Sequence, residues 1–231
     1  MKIHCLFEQS GTFKDAAAKF GIEAIDYDID NKFGRTDVQI DLFNEIHKAH
    51  IGKKSIFDSF SKDDIILAFF PCIRFEAQIG MFMRGEAHGI ESWDDEKKLL
   101  NAWKLEQQRS KFYGYVVQLF LICIKRGLRL IFENPYSFDH YLTNYFPIKP
   151  KVVDKDRTLL GDKFLKPTQY WFVNCEPKNN FFLESTIYTG RTRTINNSAR
   201  GIERSIITPE YAYNFLRVFV LERTDEYEQQ S

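Results

Sequence analysis

KIHCLFEQSGTFKDAAAKFGIEAIDYDID, residues 2–30, is the stretch that decides the fold. KIHCLF (2–7) is a short apolar run of strand length. SGTFKDAAAKFG (10–21) starts on a small-residue turn, continues as a helix and stops at Gly21. IEAIDYDID (22–30) is a second apolar run that ends in acidic residues. Strand, helix and strand in this order form a β-α-β unit, whose two strands run parallel because a helix provides the crossover.

The same alternation continues outward. DVQIDLF (37–43) reads as a third strand, and DDIILAFF (63–70) as a fourth, from its uninterrupted, β-branched apolar character. Residues 94–126 read as one long helix, with Trp93 and Asp94 at its start and Gly127 as its stop. LRLIFENP (128–135) is another buried strand, closed by Pro135. SFDHYLTNYF (137–146) is a short helix candidate, and TQYWFVN (168–174) is aromatic and strand-like. Periodicity fades after Pro147, and residues 175–208 read as loop. TPEYAYNFLRVFVLER (208–223) opens with a Thr cap and a proline at the first helical position, and TDEYEQQS (224–231) is a polar tail. The expected architecture is α/β: one domain over residues 1–231, built on a mostly parallel sheet with helices on both faces. In such sheets ligands bind beyond the carboxyl ends of the strands.

Composition narrows the function classes. Hydrophobic residues make up 44% of the chain and aromatic residues 16%, which excludes a disordered chain. Lys plus Arg and Asp plus Glu balance at 32 each, so a nucleic acid would have to meet a local basic patch, not an overall field. The start has no signal-peptide pattern and no stretch reaches the roughly 18 apolar residues of a membrane span, so a soluble, cytoplasmic protein is expected. Cys5, Cys72, Cys123 and Cys175 are scattered without metal-ligand or paired spacing. Reduced thiols and no metal follow as expectations, with Cys5 and Cys123 as small core residues.

Each residue suited to chemistry falls at a strand end. The turn after the first strand, FEQSGTF (7–13), places Phe7, Ser10, Gly11 and Thr12 where backbone N–H groups at a helix start can hold the polar part of a nucleotide-like ligand. Asp28 ends the second strand, where an acid can accept from ribose hydroxyls, and Ile29 beside it can pack on an adenine ring. Asp41, near the end of the third, can take an adenine amino group or form a turn. Cys72 follows Pro71, and Glu133-Asn134 closes the strand before Pro135. If those two strands are neighbours, a thiol and an acid converge on one rim, a combination suited to attack on an electron-poor pyrimidine. From the residues alone, Cys72 is either that nucleophile or an inert buried thiol, and Glu133 either its acid partner or a helix-capping acid.

In collinear order these segments resemble the cytosine-C5 DNA methyltransferases, in particular the compact phage- and prophage-type members. LFEQSGTFKDAAAKFGIEAIDYDID resembles the family's first S-adenosylmethionine motif and ribose-binding acid, FFPC its Pro-Cys nucleophile loop, and FENP its Glu-Asn-Val/Pro motif. KPTQYWFVN (166–174) is similar to a Lys-Pro-Thr-Asp-Ile-Trp-Thr-Asn stretch, and RGIERSIITPEYAYNFL (200–216) to a closing Arg-Ser-x-Ile-Pro-Pro segment. The resemblance implies a class I S-adenosylmethionine-dependent, Rossmann-like fold, with S-adenosyl-L-methionine over the first two strands, Cys72 as nucleophile, Glu133 and Asn134 shaping the pocket, and DNA as substrate. It implies a target cytosine swung out of the duplex. Arg191 and Arg193 in TGRTRT fall where the family's arginines contact base and phosphate, and with Lys166, Arg200 and Arg204 they form a late basic surface.

The chain departs from the family at Phe70, where a second proline is usual, at Gln9, where a glycine is usual, and at Glu76, where a hydroxyl is common. A carboxylate there raises the thiol pKa. Residues 175–207 leave no room for a separate target-recognition domain, so a protein partner for specificity is an option. Two other readings stand beside the enzyme: a binding or decoy module that keeps the fold, and a methyltransferase for RNA or a free nucleotide.

Overall fold

A computed structural model describes residues 1–179 and 206–221. In chain order the elements are β1 (Ile3–Leu6), α1 (Thr12–Ala18), β2 (Ala24–Asp28), β3 (Val38–Gln39), α2 (Leu42–His50), β4 (Ile65–Phe69), α3 (Gln78–Met83), α4 (Asp95–Arg126), β5 (Arg129–Pro135), α5 (Tyr141–Tyr145), β6 (Val152–Asp154), β7 (Thr168–Val173) and α6 (Pro209–Phe215). The strands form one seven-stranded sheet in the order β3-β2-β1-β4-β5-β7-β6. β1, β2, β3, β4 and β5 pair in parallel, whereas β7 runs antiparallel to both β5 and β6. The fold is therefore α/β with a mostly parallel sheet, compatible with a Rossmann-like arrangement.

Two apolar layers cover the sheet. Leu6, Ile66, Leu130 and Phe132 face α2 and α4, where Ile46, Val116, Leu119 and Phe120 close over them. On the opposite face, Cys5, Leu67, Ile131 and Tyr170 meet Phe13 of α1 and Tyr211 and Phe215 of α6. Strand alternation explains the division, since successive residues of one strand point to opposite faces. Cys5 and Cys123 are buried in these layers, as their apolar settings require.

The third strand is shorter than the alternating pattern of residues 37–43 suggests. Only Val38 and Gln39 pair with β2, because the Asp41 side chain accepts from the N–H groups of Phe43 and Asn44 and so starts a helix. Leu42, Ile46 and Ala49 then lie on one buried helical face. α4 keeps its expected limits: the Asp94 side chain accepts from Lys97 N–H, and Gly127 closes the helix in the left-handed region at φ 69°. α5 covers only Tyr141–Tyr145, since the backbone turns at Ser137–His140 first. The last helix starts as expected at Thr208 and Pro209 but widens into a π-helix over Leu216–Leu221.

The chain runs from β1 to the β2–β3 edge, then returns to β4 on the other side of β1. In doubly wound sheets ligands bind at such a reversal, which here falls at the carboxyl ends of β1 and β4. Among the described residues no helix is long and apolar enough to cross a membrane.

Candidate active site

β4 and β5 lie side by side in parallel, with Phe69 opposite Glu133, so their carboxyl ends share one rim. Side chain and backbone then tie the two following loops together. Asn134 is fully buried and its Nδ2 donates to the carbonyls of Phe70, at 2.9 Å, and of Glu133, at 3.0 Å. Further out, Tyr141 N–H donates to the Phe75 carbonyl at 2.9 Å. Phe70 anchors the underside, with its ring against those of Phe7, Phe43, Phe112 and Phe132.

Cys72 sits on this rim beside the half-buried Pro71. The chain coils through one turn here, with Phe75 N–H donating to the Cys72 carbonyl at 2.7 Å. A spacing of four residues puts Cys72 and Glu76 on one side of that turn, and the thiol Sγ donates to Glu76 Oε1 at 2.8 Å. Burial, the hydrogen bond to Glu76 and the charges of Glu76 and Glu133 push the thiol well above its ordinary pKa, against an opposing pull from Lys166. At rest the sulfur is therefore a protonated thiol. Glu133 is buried, and that burial raises its carboxyl toward the neutral form, with Lys166 and Arg157 acting the other way. Cys72, Glu133 and Lys166 thus share one electrostatic environment.

Behind Glu133 lies a buried polar cluster that sequence reading missed. Glu133 pairs with Tyr170 across β5 and β7. The Tyr170 hydroxyl is 2.8 Å from that of Tyr211, which donates to Asp154 Oδ2 at 2.8 Å. Arg157, fully buried, stacks 4.4 Å from the Tyr211 ring centre and forms an ion pair with Asp162, while its Nε and Nη1 have no hydrogen-bond partner among the described residues. KDRTLL (155–160) alone carries no sign of this burial, because the Tyr211 ring that covers Arg157 comes from 54 positions further on.

The turn after β1 is organised by Glu8. Phe7 takes the left-handed region at φ 61°, uncommon for a bulky residue, and turns the buried Glu8 carboxylate back on the loop. Glu8 accepts from the N–H of Ser10 at 2.7 Å, from that of Gly11 at 3.1 Å and from the Ser10 hydroxyl, which lies 2.8 Å from that of Thr12. The amides of Ser10 and Gly11 are therefore held by the protein's own carboxylate, not offered to a ligand as the sequence suggests. Gly11 takes φ 76°, the left-handed region that favours glycine, and a Cβ there would displace the end of the Arg35 side chain, 2.8 Å away.

Asp28 ends β2 buried, with one carboxylate oxygen accepting from Asp30 N–H at 2.8 Å, and Ile29 next to it is 60% exposed. Asp41 caps α2 and lines a cavity of about 370 Å³ with Phe43, His47, Phe112 and Tyr115. Phe43 also touches the Phe7 ring, so this cavity adjoins the turn after β1. Phe7, Asp28, Ile29 and Asp41 thus stand at or just beyond the carboxyl ends of β1, β2 and β3. One further acid lies beneath. Asp26 is fully buried in β2; among the described residues its carboxyl has the Cys5 thiol and, at 3.6 Å, Lys14 Nζ as polar neighbours, and burial pushes it up to about 7.

Arg191 and Arg193 lie outside the described residues, as do Arg200 and Arg204. Among the described residues no group of three or more His, Cys, Asp or Glu could hold a metal ion. The chain matches no family model and no curated protein.

Proposed function

We propose that the chain is an S-adenosylmethionine-dependent methyltransferase acting on C5 of cytosine in DNA, with Cys72 as nucleophile. The observation that carries this reading is the pairing of β4 with β5, whose joined loops bring Cys72 and Glu133 into one electrostatic environment at the carboxyl rim of the sheet. The collinear motifs quoted above and the acids at the ends of β2 and β3 support it.

In this reading the Cys72 proton passes to Glu76 Oε1, the acceptor to which the thiol already donates at 2.8 Å, as sulfur bonds to C6 of the ring. The C5–C6 electron pair shifts toward N3, where Glu133, held toward its neutral form by burial, donates a proton. C5 becomes the nucleophile that would take the methyl group, the donor's sulfonium sulfur leaving as a neutral thioether. A solvent water then takes the C5 proton, the C5–C6 double bond re-forms as the Cys72 sulfur leaves, N3 returns its proton to Glu133, and Glu76 returns its proton to the sulfur. Asp28 would hold the cofactor's ribose, Ile29 and Phe7 would pack on its adenine, and Asp41 would bond the exocyclic amine. When bound, S-adenosyl-L-methionine supplies an electrophilic methyl group. Asn134, through its two carbonyl contacts, keeps the acid and thiol loops in register.

A second reading draws on the Cys72–Glu76 hydrogen bond: a thiol held protonated suits a non-catalytic module that keeps the fold and binds DNA as a decoy. Methyl transfer from labelled S-adenosylmethionine to DNA, to RNA and to dCMP separates the possibilities. Incorporation into DNA that Cys72→Ser abolishes is the expected result. Transfer to RNA or dCMP alone reassigns the substrate, and no transfer to any of the three leaves the decoy.

A further inference from the structure

α4 is 32 residues long, about 48 Å, and its inner face meets the core through Val116, Leu119, Phe120 and Cys123. A helix that only covers a sheet has a polar outer face. The outer face of α4 is different. Residues 100, 103, 107, 110, 114, 117, 121 and 124 follow one another at alternating intervals of three and four, the repeat of a coiled-coil seam. Leu100, Trp103, Val117, Leu121 and Ile124 make most of that seam apolar; Trp103 is 65%, Leu100 61% and Ile124 46% exposed, and Val117 and Leu121 are partly exposed. Ser110 and Gly114 lie at its middle. A glycine inside a helix weakens it, and no packing within the chain requires this one, since a Cβ there would meet no atom within 4 Å. Lysines run along one side of the seam. Lys97, Lys104, Lys111 and Lys125 are exposed, fall on a seven-residue repeat whose remaining place is Gln118, and pair with no carboxylate among the described residues. The other side of the seam, Leu99, Glu106, Tyr113 and Phe120, holds one acid, and Glu106 already accepts from Arg109 and Ser110. A second copy is therefore a poor occupant: antiparallel pairing sets lysines against lysines, and parallel pairing brings them only Glu106.

We propose that the outer face of α4 is a docking seam for an acidic amphipathic helix of another protein, which lies along α4 with its apolar stripe on Leu100, Trp103, Leu121 and Ile124 and its carboxylates against the four lysines. Apolar burial supplies the affinity, and the charged flank selects the partner and its register. The two helices come closest at Ser110 and Gly114, where the open space admits a bulky side chain of the partner. No residue of the seam takes part in the chemistry proposed for Cys72 and Glu133, so docking and catalysis stand or fall separately.

The test is fluorescence anisotropy with the full-length protein and two labelled synthetic helices of about four heptads, both with leucine at the seam positions, one with glutamate and the other with lysine on its flanks. Like charges keep each peptide from pairing with itself. Wild type is expected to bind the acidic peptide at least about tenfold more tightly than the basic one, by a margin that shrinks as salt is added. Trp103→Glu is expected to weaken that binding at least about tenfold. Replacing Lys97, Lys104 and Lys111 together by Glu is expected to turn the preference toward the basic peptide, a reversal that a misfolded protein does not produce. All four side chains are exposed, so these variants are expected to fold, and wild-type-like circular dichroism melts check that. No binding of the acidic peptide, equal affinity for the two peptides, or an unchanged preference in the lysine variant overturns the proposal. A wild type that is dimeric by light scattering and monomeric as Trp103→Glu also overturns it and assigns the seam to a second copy. Trp103-dependent binding to phosphatidylserine vesicles without binding to the acidic peptide overturns it in favour of a membrane surface.

Discussion

Replacing Glu76 by Gln removes the carboxylate that accepts the Cys72 thiol while keeping the side chain's size. A thiolate formed beside an ionised Glu76 would put two negative charges about 3 Å apart, a repulsion of about 3 kcal/mol at an effective dielectric between those of protein interior and bulk water. That corresponds to about two pK units. Burial of the sulfur is unchanged, so the thiol of the variant stays above its ordinary value, but lower than in wild type. The thiolate fraction near neutral pH then rises about 100-fold, and because nucleophilicity falls with pKa at a slope of about 0.5, the alkylation rate rises about tenfold. Iodoacetamide modification read by peptide mass spectrometry gives the Cys72 rate separately from those of buried Cys5 and Cys123 and half-buried Cys175. A rate unchanged or slower in Glu76→Gln, or a pH profile displaced to higher pH, would refute this account of the thiol.

Three further outcomes follow from the same geometry. Glu133→Gln preserves shape and removes the proton donor, so methyl transfer is expected to fall by about 10²- to 10⁴-fold with the melting temperature nearly unchanged. Asp28→Ala is expected to weaken S-adenosylmethionine binding about 10- to 100-fold in calorimetry, by loss of hydrogen bonds to a charged acceptor. Asp26 reaches about 7 in the fold, above an unfolded value of about 3.9, so the native state binds more protons between these values and stability falls as pH rises through that window. Asp26→Asn is therefore expected to gain about 3 kcal/mol relative to wild type between pH 4 and pH 7, as read by denaturant unfolding, the Lys14 contact being too long to offset the buried charge fully. An equal pH dependence in both proteins would contradict the burial assigned to this carboxyl.

Much of this architecture is legible in the chain because local signals agree. The β-α-β unit, the Asp94 and Gly127 limits of the long helix and the Thr208-Pro209 start are each set by a few adjacent residues. Asp41 marks the limit of such reading. An alternating pattern runs through it, yet the side chain caps a helix, and only the hydrogen bonds to Phe43 and Asn44 decide between the two. The three-residue β6 and the reversed β7 depend on pairing across the sheet, which leaves no local trace. The chemistry divides in the same way. The placement of Cys72 and Glu133 at the ends of neighbouring strands is legible in the sequence, whereas the fold of the Glu8 carboxylate over Ser10 and Gly11 follows from the left-handed backbone of Phe7. Burial of Arg157 requires Asp162 and the distant Tyr211.

The central claim is that the Cys72 sulfur attacks a pyrimidine held against Glu133. Its most direct measurement is peptide-mapped mass spectrometry of protein incubated with S-adenosylmethionine and duplex DNA containing 5-fluorocytosine, whose fluorine blocks the final elimination. The account predicts a methylated fluoropyrimidine adduct on the peptide bearing Cys72, absent in Cys72→Ser. DNA recovered without adduct from an intact, DNA-bound wild-type protein, or an adduct on another residue, would contradict it.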